Sequence, residues 1–141
     1  MSKTKSAFLL LIDLVLCGGL YAAWYYWWLA TIWQADALKL SFLIIPLFFL
    51  TAFGLAFGWV KEETAEDIES RLPMIALCGT VFGILSVFSV LAQVKFGTAS
   101  DFKTLIGPLL AGGGTAMYPT FLALAASNIL WAQLHVVRWG L

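Results

Sequence analysis

Four stretches of this chain contain no Asp, Glu, Lys, Arg or His: those between Asp13 and Asp36, Lys39 and Lys61, Arg71 and Lys95, and Lys103 and His135. Each runs to about 20 residues or more, the length a helix rising 1.5 Å per residue needs to cross roughly 30 Å of hydrocarbon. Charged residues make up only 11% of the chain, against about 25% in a soluble domain, too few to coat a water-facing surface. The expected fold is therefore all-α: a polytopic membrane helix bundle with four transmembrane helices, in one membrane domain over residues 1–141. The spans are placed at about 6–33, 40–60, 73–94 and 104–130. Residues 61–72, which carry Glu62, Glu63, Glu66, Asp67 and Glu69, are expected as a solvated cytoplasmic loop, in which the spacing of Thr64, Asp67, Ile68 and Arg71 could support a short exposed helix leading to Pro73.

Several classes drop out on composition. The formal net charge is zero, so a general attraction to nucleic acid is not expected. Cys17 and Cys78 lie in separate apolar runs, without metal-ligand or redox spacing. The chain contains no nucleophile–base–acid set, metal cluster or phosphate-cradling loop after a strand, so no enzyme, cofactor or metal is expected. Lys3 and Lys5 before an apolar run resemble the start of a signal peptide. Asp13 interrupts that run and no small-x-small cleavage site follows, so an uncleaved first helix is expected.

Lys3, Lys5, Lys61, Arg71 and Arg138 fall on one side of a four-span topology, and Lys39, Lys95 and Lys103 on the other. Positive charge is retained on the cytoplasmic side, so both termini are expected in the cytoplasm, in a bacterial inner membrane. The aromatic run Tyr21, Trp24, Tyr25, Tyr26, Trp27, Trp28 and Trp33 reads first as an interfacial belt and second as a cage for a cation. His135 and Arg138 suit the C-terminal end of the last helix dipole. Asp13 reads first as an interfacial or helix-packed acid and second as a proton site.

The last two spans differ from the first two in being rich in small and hydroxylated residues, including Gly79, Thr80, Gly83, Ser86 and Ser89, then Gly107, Gly112, Thr115, Ala116 and Thr120. Small residues let helix backbones approach in lipid, and hydroxyls bond across the contact. Gly79/Gly83 and Gly112/Ala116 are two such small-x-x-x-small steps.

The stretch Ala76-Leu77-Cys78-Gly79-Thr80-Val81-Phe82-Gly83-Ile84 resembles a signature of the MotA/TolQ/ExbB proton-channel family. Gly107, followed eight positions later by Thr115-Ala116, resembles that family's second signature. The resemblance covers roughly residues 72–128. It implies a homo-oligomeric ring, commonly a pentamer, in the lipid bilayer around the helices of a single-span partner whose Asp carries the proton or sodium ion. Such a subunit is a stator or energiser that couples ion flow to mechanical work. Thr80 and Thr115 would line the ion pathway, with Ser86 and Thr120 as further hydroxyls, and Gly79, Gly83, Gly107, Gly112 and Ala116 would serve helix packing. The family's large cytoplasmic domain has no counterpart here, so the resemblance is to a minimal member. Two other expectations stand beside it: a small proton-coupled multidrug exporter using Asp13, and a non-catalytic pore-forming or assembly subunit.

Overall fold

The computed structural model describes residues 3–36, 38–92 and 99–139, with side chains 99–104 and 139 left out of the description. Among these residues there are five helices and no strand: α1 (Lys3–Tyr25), α2 (Trp28–Ala35), α3 (Leu40–Phe57), α4 (Glu62–Ala92) and α5 (Ala99–Trp139). Four of them, all but α2, are long and apolar enough to cross a membrane. The chain is thus an all-helical, multi-pass membrane protein by the length and composition of its helices.

The helices depart from the expected boundaries at two places, each with a local cause. The first span is broken near its end. Trp27 adopts a left-handed backbone (φ 63°), which an L-residue other than Gly, Asn or Asp seldom takes and which an α-helix cannot continue through. The chain then restarts as α2. The expected loop at 61–72 is helical from Glu62 onward, as the first turns of α4. Glu62 and Glu63 sit at the positive end of its dipole, and Asp67 pairs with Arg71 one turn on at 2.9 Å, a favourable helical spacing. Pro73 lies inside this helix without ending it. The polar connection expected at 95–103 falls partly outside the described residues (95–98), and the rest already belongs to α5.

The core forms where α3, α4 and α5 meet. Ile44, Phe48 and Ala52 of α3 pack with Leu72 and Ala76 of α4 and Ala123, Ala126 and Leu130 of α5. A smaller cluster joins Leu55, Ala65 and Leu134. These contacts fix the register of the antiparallel helices. The end of α3 stands beside Ala65, and its first residue, Leu40, stands beside Gly79, where an added Cβ would meet the Leu40 side chain at 3.0 Å. At the far end of α2, Ala35 touches Gly114 and Thr115. Consequently α3 covers only the N-terminal half of α4. The acidic turns of α4 run beside the C-terminal turns of α3, while the hairpin of α4 and α5 continues past the junction of α2 and α3.

Trp24, Tyr25, Tyr26, Trp27 and Trp28 are exposed, and Lys39 places its ammonium 4.4 Å from the centre of the Trp33 ring. The face of Trp33 is thus already taken by a cation from this same chain.

Candidate functional site

The α4–α5 contact is built on glycine. A Cβ on Gly83 would lie 2.5 Å from the Gly112 carbonyl oxygen and 2.6 Å from the Ala116 nitrogen; one on Gly112 would lie 2.7 Å from the Val87 side chain. Gly79 is also buried, facing Pro119 and the Thr115 carbonyl. Gly79, Gly83, Gly112 and Ala116 therefore act together to bring two backbones close, as small residues do in lipid. Gly107 does not share this role: it is exposed, with nothing within 4 Å of where its Cβ would be.

Close approach brings two hydroxyls together. The Oγ1 atoms of Thr80 and Thr120 are 2.6 Å apart. Thr120 reaches the Ala116 carbonyl at 2.8 Å, closer than Thr80 reaches the Ala76 and Ala116 carbonyls at 3.3 Å, which favours Thr80 as the donor in the hydroxyl pair. The chain of donors runs Thr80 to Thr120 to the Ala116 oxygen, which leaves acceptor capacity on Thr80. Next to it, Pro119 has no N–H to give the Thr115 carbonyl four residues earlier. That carbonyl faces Gly79, 3.2 Å from the position of an added Cβ. A polar seam thus lies between two otherwise apolar helices.

The other expected pathway residues are elsewhere. Thr115 is buried, and its hydroxyl donates to Ala111 at 2.9 Å and approaches the Ala35 carbonyl at 3.3 Å, so it faces α2 rather than Thr80. Ser86 is exposed on the outer face of α4. The structure joins Thr80 to Thr120 and separates both from Thr115 and Ser86.

Sequence reasoning missed Gln133. Asp13 is fully buried, at 0% exposure, and Gln133 is 2% exposed. The Gln133 Nε2 donates to Asp13 Oδ1 at 2.7 Å. Thr115 and Gln133 are 18 residues apart, five full turns, so both lie on the face of α5 turned to α1 and α2. Gln133 is a strongly polar amide inside a long run without charge, and that was the available signal. A second buried acid, Asp36, accepts the Ser41 N–H at 2.8 Å and so ties the entry of α3. At the end of the bundle where α4 begins, Glu69 accepts a hydrogen bond from Ser127 at 2.7 Å, and Arg138 pairs with Glu66.

Removing either member of the hydroxyl pair tests the seam. Thr80→Val and Thr120→Val should each lower stability in detergent, with a coupling of about 0.6 kcal/mol, the average for such bonds within membranes. A double-mutant cycle on unfolding in mixed micelles measures it, and zero coupling would remove the Thr80–Thr120 bond from the account.

Comparison with known proteins adds no name to this arrangement: no family model matches the chain, and neither a curated protein nor a solved structure does.

Proposed function

We propose that the chain is an ion-translocating membrane subunit that works as a ring of identical copies, moving protons or sodium ions with the help of a single-span partner. The observation that carries this reading is the mismatch between α3 and α4. Exposed Glu62, Glu63, Glu66 and Asp67 of α4 stand beside the last turns of α3, where Phe57 is exposed and apolar. An acid in hydrocarbon costs about 2.5–3.5 kcal/mol even on the mildest scales. The α4 face therefore needs water at the depth where the α3 face needs lipid.

A ring meets both needs. With α1 and α3 outward they meet lipid, and with α4 inward its acidic turns line a water-filled vestibule. The outer part of the hairpin, where Ile84, Phe88 and Leu110 are exposed, packs against neighbouring copies and the partner helix. The apolar parts of α4 and α5 carry no Asp, Glu, Lys, Arg or His over residues 72–92 and 104–134, so a carboxylate carrier for a central pathway comes from the partner. The hydroxyls Thr80 and Thr120 can accept or donate a hydrogen bond to it without holding charge in lipid. The resemblance of residues 76–84 and 107–116 to the MotA/TolQ/ExbB signatures agrees with this assignment, which puts the subunit in an inner membrane with both termini in the cytoplasm.

Native mass spectrometry of the protein in lipid nanodiscs tests the assembly. The expected result is one dominant closed oligomer of about five copies, the size the resemblance implies. A monomer under conditions that preserve known membrane rings would overturn it.

A further inference from the structure

Two buried oxygen atoms in this protein are left without a hydrogen bond at the same place. Gln133 Nε2 donates to one oxygen of Asp13, while the other oxygen of that carboxyl and the Gln133 carbonyl oxygen have no donor. Both residues are more than nine-tenths buried, and a buried acceptor left unmade costs about 1–3 kcal/mol, more when charged. A single proton removes both deficits. Placed on the free oxygen of Asp13, it is donated to the Gln133 carbonyl while Gln133 Nε2 continues to donate to the other oxygen, closing a cyclic acid–amide pair. We propose that Asp13 and Gln133 form a proton-binding site inside each subunit.

The surroundings favour a proton over a metal cation. Leu9, one turn before Asp13, and Leu130 and Leu134, flanking Gln133, are buried, and α3 contributes no ionisable residue at all. A cation would find two oxygens here and few others, whereas a proton needs only those two. The charged and titratable groups around the site are few. Lys5 of α1 is engaged with the Val137 carbonyl at 3.0 Å, and Cys17 is half-buried one turn beyond Asp13. On α5, His135 stacks on Trp131 and Arg138 pairs with Glu62 and Glu66. On α4, Glu69 is bound to Ser127, and Asp36 lies at the far end of α2.

The depth of the site also fits a carrier. Ser6 of α1 donates to the Ala56 carbonyl near the end of α3 at 2.5 Å. Asp13 is seven residues, about 10 Å, farther along α1, which sets it beside the middle of α3. An open hollow bounded by Val60, Lys61, Glu62, Val137 and Arg138 begins one helical turn from Gln133. On release, the proton leaves the free oxygen of Asp13 toward that hollow, and the remaining carboxylate keeps the Gln133 N–H bond. This site belongs to the chain itself and stands whether or not copies form a ring.

Infrared spectroscopy of the purified full-length protein at neutral pH reads the proton directly. The wild type should show a carboxylic-acid C=O band that shifts in deuterium oxide, vanishes in Asp13→Asn and survives in Asp36→Asn. Asp13→Asn preserves the shape, because an amide–amide pair closes the same ring. Should that variant fail to fold, Gln133→Leu gives an independent reading: the band should persist but move to higher frequency as the acid loses its acceptor. A wild-type spectrum without the acid band, or a band indifferent to both substitutions, overturns the proposal. If the band is missing and sodium or potassium chloride raises the unfolding midpoint over choline chloride at equal ionic strength, the occupant is a metal cation and the proton site is wrong.

Discussion

Gly83→Val should separate α4 from α5 and cost about 3 kcal/mol, the upper end of what overpacking a close contact costs. The new Cβ would fall within 2.5–2.7 Å of the Gly112 oxygen, the Ala116 nitrogen and the Ala116 Cβ. Two of these are backbone atoms, so no side-chain rotation relieves the clash, and one helix has to move. Movement at Gly83 also lengthens the Thr80–Thr120 bond, one turn away along α4. Gly112→Val should behave less severely, because its nearest obstacle is the Val87 side chain at 2.7 Å, which can partly yield. Gly113→Ala and Gly107→Ala meet nothing within 4 Å and should leave stability unchanged or slightly raised by better helix propensity. Unfolding midpoints of the four variants in one detergent check the order. Equal tolerance at Gly83 and Gly113 would mean that α4 and α5 do not meet at these glycines.

The helix content and the four spans were legible because a run of about 20 apolar residues has few structural options in lipid. What remained hidden depends on contacts between helices. Nothing in the residues around Trp27 demanded a left-handed backbone, and the acidic composition of 61–72 suggested a loop although the same acids suit the first turns of a helix. Asp13 was expected as an interfacial or helix-packed acid, and it is packed: it is fully buried and bonded to Gln133 of α5, a partner that counting along α1 does not reveal.

The candidate site was legible in part for the same reason. Gly79, Gly83, Gly112 and Ala116 were found from small-residue spacing alone, and the contact they form is the one the spacing predicts. The grouping of hydroxyls was not found. Thr80 meets Thr120 rather than Thr115, because Thr115 and Thr120 are five residues apart and point about 140° away from each other on a helix turning 100° per residue. Gln133 went unnoticed because a neutral amide leaves no mark on a charge map, although it is the residue that gives Asp13 a partner.

The second large effect is one of surroundings, and it bears on the central claim that α4 faces water where α3 faces lipid. Spin labels at Ser70→Cys, one turn beyond Glu66, and Leu50→Cys report the two faces at comparable depth, since Leu55 of α3 packs against Ala65 of α4 and Phe48 lies in the same cluster as Leu72. In bilayers, the label at position 70 should be relaxed strongly by a water-soluble nickel chelate and weakly by oxygen. The label at position 50 should show the reverse. Opposite preferences at matched depth are what a subunit with a lipid-facing α3 and a vestibule-facing α4 produces. If both labels respond to the nickel chelate, this end of the bundle simply projects into water, and the account of a water-filled ring at bilayer depth is contradicted.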